Sequence, residues 1–80
     1  MNVEVRLFAT LRKYLPAGSE RTSAQVEVPA GASIADALTA LGIPVEAVHL
    51  LLVNGIYEPD KDRRLEDGCV LSAWPPVAGG

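Results

Sequence analysis

The sequence predicts an α+β domain in which one helix packs across one face of a mixed sheet. Three observations carry that expectation. Stretches of period-two alternation stand before and after a single well-punctuated helical segment. An Asn-Gly pair separates two short apolar runs, as a tight hairpin requires. The 80 residues, 49% hydrophobic and 21% charged, suit one compact core and leave no room for a second.

The elements follow in chain order. Val3, Val5 and Leu7 alternate with Glu4, Arg6 and Phe8, so a half-buried strand starts the chain with Phe8 on its polar side. LRKYLP then reads as a turn of helix halted by Pro16, and residues 17–23 as a polar, glycine-containing loop. Gln25 to Val28 alternate again and stop at Pro29, which makes a hairpin partner for the first strand across a long connection. Ser33-Ile34-Ala35-Asp36 has the form of a capping box, with Asp36 in place of the commoner Glu or Gln. Ile34, Ala37, Leu38 and Leu41 then share one helical face, Gly42 closes the helix, and Pro44 prevents its continuation.

VEAV, residues 45–48, adds a short turn. HLLLVN, residues 49–54, reads as a strand buried on both faces, with Asn54-Gly55 turning it into a brief returning strand at IYEP. Residues 60–68, DKDRRLEDG, read as a solvated connection, and Cys69 to Trp74 as the last strand. The order β-β-α-β-β-β is satisfied by a β-grasp arrangement, with the first and last strands as parallel neighbours in the middle of the sheet.

Most chemistry is excluded by what the chain lacks. A net charge of −3 without any Lys/Arg block argues against nucleic acid as a partner. Neither GxxxxGK[ST] nor GxGxxG occurs, so no phosphate cradle is expected. His49, the one histidine, has no assignable Ser/His/Asp relay and reads as a structural or solvent-edge residue. Cys69, the one cysteine, has no partner for an internal disulfide and reads as a small buried hydrophobe. Asp60, Asp62, Glu66 and Asp67 lack the ligand spacing of a calcium loop, so no metal is expected. The start, MNVEVRLFATLRKYL, has no unbroken apolar core of the signal-peptide kind, and no apolar run reaches membrane-spanning length. The expectation is a cytoplasmic protein without membrane contact.

What remains is the surface and the final stretch WPPVAGG. If Leu71 and Ala73 face the helix, Trp74 faces outward beside Phe8 on the neighbouring strand. Aromatics are only 5% of the chain, and an exposed pair is a usual anchor for a protein partner, so Phe8 and Trp74 are assigned to a partner interface. The chain is expected to divide into a folded domain, residues 1–74, and an extended tail, residues 75–80. Pro75 and Pro76 stiffen the start of that tail, Val77 and Ala78 are small, and Gly79 and Gly80 have no side chains. Six extended residues past Trp74 span about 20 Å, at about 3.3–3.6 Å each. Such a tail can thread a slot too narrow for any side chain and present a terminal carboxylate at its end.

VRLFATLRKYL, VPAGASIADALTALG, LLVNG, LEDG and above all WPPVAGG resemble the ubiquitin-like sulfur carriers, most closely the small subunit of molybdopterin synthase, over essentially the whole chain. That resemblance implies a β-grasp fold and a carboxylate on Gly80 that a ubiquitin-activating-type adenylyltransferase adenylates with ATP. A sulfur donor protein then converts the acyl-adenylate to a thiocarboxylate. The tail, Pro75 to Gly80, inserts into the large subunit of molybdopterin synthase, where sulfur builds the dithiolene of the pyranopterin. The chain would thus be a cosubstrate and subunit with no tightly bound cofactor, and Phe8 and Trp74 match apolar positions the family uses toward its partner. Cys69 stands where relatives often have an acidic residue, away from the tail chemistry.

A Gly-Gly ending equally suits sulfur transfer toward the tungsten cofactor, thiamine or another product. It also suits a ubiquitin-like modifier that forms isopeptide bonds with lysines. A plain β-grasp binding module is the remaining alternative, and it leaves the Pro75-Pro76 spacer unexplained.

Overall fold

The computed structural model describes residues 1–76. Five strands form one sheet: β1 (Asn2–Leu7), β2 (Ser23–Glu27), β3 (Leu50–Val53), β4 (Ile56–Tyr57) and β5 (Val70–Trp74). Their lateral order is β2-β1-β5-β3-β4. β1 and β5 run parallel at the centre, with Val5 opposite Leu71 and Leu7 opposite Ala73, while every other pairing is antiparallel. A parallel neighbour needs a long crossover, and the chain between β1 and β5 supplies it, carrying the helix α1 (Ile34–Ala40) on the way. This is the β-grasp arrangement that the element order anticipates.

Alternation along each strand decides which side is core. Val3, Val5 and Leu7 from β1, Leu71 and Ala73 from β5, and Leu51 and Val53 from β3 are all buried on one face. Ile34, Ala37 and Leu38 of α1 close over them, joined by Leu11, Val28, Ile43 and Val48. Leu41 falls at the helix C-cap and is only partly buried, and Gly42 follows with φ 78°, a left-handed closure that glycine adopts without strain. Asn54 (φ 51°) and Gly55 (φ 82°) both lie in the left-handed region, the form a two-residue hairpin between β3 and β4 demands.

The start of α1 is tied down from two directions. The capping box is present as expected: the Asp36 amide donates to Ser33 Oγ at 3.1 Å, and the Ser33 amide donates to Asp36 Oδ2 at 3.0 Å. The other first-turn donors find acceptors far along the chain, Ile34 N–H to the Arg63 carbonyl at 3.0 Å and Ala35 N–H to the Lys61 carbonyl at 2.9 Å. These amides have no partner inside the helix, so the distant loop completes it.

That loop corrects one expectation. Residues 60–68 are more than a solvated connection: Leu65 is 5% exposed within the core, and its amide donates to the Ala32 carbonyl at 2.8 Å. Arg64 donates to the Gly31 carbonyl at 2.7 Å, and Lys61 Nζ donates to the Val45 and Val48 carbonyls, both at 3.1 Å. The charged residues are solvated on one side while one apolar side chain and several backbone groups seal the end of the core.

A second correction concerns β3, which is buried on one face only. Leu51 and Val53 are in the core, whereas Leu50 and Leu52 are half-buried, because no second layer covers the far side of the sheet among the described residues. Boundaries also move. The turn after Phe8 is a 3₁₀ helix (Ala9–Tyr14), β2 starts earlier and ends earlier than the alternation suggests, and Cys69 precedes β5 while remaining buried.

Two substitutions test these assignments. Ser33→Ala is expected to cost about 1 kcal/mol, the usual value of an N-cap, in the denaturant midpoint. Leu65→Ala is expected to cost about 2–5 kcal/mol if its side chain is core; a loss under about 1 kcal/mol would return the loop to solvent.

Candidate partner interface and tail exit

Parallel pairing brings the ends of β1 and β5 to the same edge of the same face. Phe8 is the residue after Leu7, and Trp74 is the last of β5, so both turn away from the core where Leu7 and Ala73 turn in. The Phe8 amide donates to the Ala73 carbonyl at 3.2 Å, which continues the β1–β5 ladder by one residue. The two rings stack with centroids 4.4 Å apart and planes 6° from parallel. Both side chains stay half-buried, each covering one face of the other and leaving the outer surfaces available.

The chain leaves the strand abruptly after Phe8. Ala9 has φ 53°, a left-handed conformation that costs a non-glycine residue roughly 1–2 kcal/mol. The bend starts the 3₁₀ helix at once, so Phe8 is held at the rim and does not continue into a longer strand. This strained corner had no mark in the sequence, since alanine is neither a turn former nor a left-handed residue by preference.

From the stacked pair an apolar strip runs across the open face. Leu50 lies opposite Trp74 in the ladder; Leu52 and Tyr57 follow toward the β4 edge, where Tyr57 is 60% exposed. Ser72 sits between Arg6 and Leu52 in register and is buried beneath its neighbours. On the β1 side the strip meets polar ground, where Arg6 pairs with Glu4. The leucines of β3 are the part of this surface that sequence reading assigned to the interior.

The strand ladder ends where pairing must stop. The His49 amide donates to the Trp74 carbonyl at 2.8 Å, the last hydrogen bond of the β3–β5 ladder. Pro75 and Pro76 have no amide hydrogen to give, so the ladder cannot be extended through them. They line a cleft of about 300 Å³ together with Thr10, Lys13 and Tyr14 of the 3₁₀ helix and with Ala47. Val77, Ala78, Gly79 and Gly80, the rest of the expected tail, lie outside the described residues.

The Cys69 thiol is buried among core side chains, and His49 lies exposed at the start of β3. Among the described residues no group of three His, Cys, Asp or Glu side chains could hold a metal ion. No helix among them is long and apolar enough to cross a membrane.

The stack itself can be measured. A double-mutant cycle of Phe8→Ala and Trp74→Ala on unfolding free energy is expected to give a coupling of about 0.5–1.5 kcal/mol. Additive losses would mean that the rings do not support one another.

Comparison with known proteins agrees with this architecture. A family model described as Mut7-C ubiquitin matches residues 1–78. No curated protein sequence matches the chain. Among solved structures, a putative molybdopterin converting factor subunit 1 from Pyrococcus furiosus is 30% identical, with 95% of this chain and 98% of that chain covered and a TM-score of 0.71. SAMP1 from Haloferax volcanii, a small archaeal modifier protein, is 28% identical over 100% of both chains with a TM-score of 0.73. A chain of the complex of subunits 1 and 2 of the molybdopterin-converting factor from Helicobacter pylori 26695 is 21% identical over 100% of both chains, with a TM-score of 0.64, a likeness of fold alone.

Proposed function

This chain belongs to the Mut7-C ubiquitin family, and from that premise we propose that it is a sulfur carrier acting through the carboxyl group of Gly80. The observation that carries the reading is the juxtaposition, at one end of the two central strands, of the stacked Phe8–Trp74 pair and the Pro75-Pro76 segment. A partner that covers the aromatic strip is thereby placed at the root of the tail, so docking and delivery are set by one contact. The likeness to a putative molybdopterin converting factor subunit 1 supports molybdopterin as the destination.

The chemistry follows from the poor electrophilicity of a carboxylate. An adenylyltransferase of the ubiquitin-activating type uses ATP to form an acyl-adenylate on Gly80 and releases pyrophosphate. Sulfur delivered by a donor protein attacks the acyl carbon, AMP leaves with the bonding electron pair, and a thiocarboxylate remains. That terminal sulfur is the nucleophile presented to a large-subunit partner, where it is transferred to the pterin precursor. Subunits 1 and 2 are joined in the Helicobacter pylori complex, which supports a partner of that kind. Catalytic side chains come from the partners; this chain supplies the anchor and the reacting terminus. Gly79 and Gly80 suit a slot that excludes side chains.

A second reading is a protein modifier, in which an amine in place of a sulfur donor attacks the activated Gly80. The full-length likeness to SAMP1 favours it. Both readings share activation and differ in the nucleophile.

Intact mass after incubation with ATP, the activating enzyme and a sulfur source separates them. One oxygen exchanged for sulfur, lost when Gly80 is deleted, is the outcome expected of a carrier. Adducts to other proteins without that exchange would transfer the reading to a modifier. Phe8→Ala and Trp74→Ala are each expected to weaken partner binding about tenfold or more, the effect of an aromatic anchor, with the domain still folded. Unchanged affinity would remove the residue concerned from the interface. Gly79→Trp, or one residue added after Gly80, is expected to abolish transfer without moving the unfolding midpoint.

A further inference from the structure

We propose that Lys13 is the acceptor amine of this chain, taking an acyl group from the activated Gly80 of a second copy. The inference rests on the modifier reading above and goes beyond it by naming the acceptor. The chain holds only two lysines, Lys13 and Lys61. Their surroundings differ in a way that decides which can react. Lys61 is half-buried, and its Nζ donates to the carbonyls of Val45 and Val48, both at 3.1 Å. To attack an acyl carbon it must lose a proton and leave both acceptors; the Val45 carbonyl would keep the Val48 amide, but the part-buried Val48 carbonyl would lose this donor. The α-amine at Met1 is similarly engaged, donating to the Val28 carbonyl at 2.8 Å.

Lys13 has none of these ties. It is exposed, donates to no acceptor among the described residues, and lies with its Nζ 5.3 Å from the centre of the Tyr14 ring. It also lines the 300 Å³ cleft shared with Thr10, Tyr14, Ala47, Pro75 and Pro76. That open cleft lets an incoming terminus without side chains approach the amine beside Tyr14 and the prolines. A copy attached there sits against the root of the tail, so acylation of Lys13 obstructs the exit that partner docking uses.

The step balances without any oxidant or reductant. The neutral Lys13 amine attacks the acyl carbon of the Gly80 adenylate of the second copy. The bond from that carbon to the phosphate oxygen breaks, AMP leaves with the electron pair, and the nitrogen releases one proton to solvent. A nucleoside triphosphate and the activating enzyme supply the adenylate.

The test uses the full chain and N-hydroxysuccinimide ester of acetyl-glycylglycine, which carries an activated Gly-Gly carboxyl without any enzyme. Peptide mapping of the folded protein is expected to show Lys13 acylated about tenfold faster than Lys61, the factor that one lost charge-assisted hydrogen bond corresponds to. In denaturant the two rates should converge, and in Lys13→Arg the fast adduct should be gone while the fold is kept. Equal rates in the folded chain overturn the assignment. When ATP and the activating enzyme replace the ester, a linkage between copies mapped to Lys13 is the expected product, and one mapped to Lys61 overturns the assignment. Selective ester acylation of Lys13 with no enzymatic adduct on any protein overturns the modifier reading and leaves the selectivity of Lys13 standing.

Discussion

The parallel pairing of β1 with β5 is the constraint on which the rest depends. It places strands from opposite ends of the chain side by side at the sheet centre, Val5 against Leu71 and Leu7 against Ala73. A parallel neighbour cannot be reached by a tight turn, so the intervening chain must cross the sheet and carry α1 over one face. The same pairing brings Phe8 and Trp74 out together at one end of these central strands. Core, crossover and aromatic pair are consequences of a single register, and a slip of one residue would turn all three inside out.

The helix depends on this frame more than on itself. Its seven residues are too few for an isolated helix to be stable in water. Burial of Ile34, Ala37 and Leu38 supplies the driving force, and the loop from Lys61 to Leu65 supplies hydrogen-bond acceptors for the first turn. Leu65 anchors that loop in the core while its charged neighbours remain in water. A small domain has little buried area to spare, so a loop that both seals the core and caps the helix serves two needs with one segment.

The two faces of the sheet consequently have different work. One is filled by the helix; the other carries an apolar strip from the Phe8–Trp74 stack through Leu50 and Leu52 to Tyr57. Stacking lets two large rings bury part of their area against each other while a surface remains for a partner. Pro75 and Pro76 have no amide hydrogen to continue the ladder, so the sheet stops at Trp74. In the proposed carrier role this geometry couples recognition of the folded part to delivery of the terminus.

Local chemistry was legible in the residues themselves. The Ser33–Asp36 capping box, the Asn54-Gly55 turn, the helix ending before Gly42 and the alternation of β1 and β5 all act over a few positions, and each is present in the fold. The outward placement of Phe8 and Trp74 was legible too, because alternation on paired strands fixes which side a residue takes. Features set by contacts between distant residues lie beyond that range. Nothing in HLLLVN says that Leu50 and Leu52 face an uncovered side, since an apolar run reads alike whether one face or two are covered. Nothing in DKDRRLEDG says that its carbonyls serve a helix some thirty positions earlier, or that Lys61 is tied down where Lys13 is exposed. Propensity and alternation are short-range, so the residues alone set the elements, their order and the sides they present. The tertiary structure decided which faces are covered and which polar groups meet, because those depend on contacts between residues far apart in the chain.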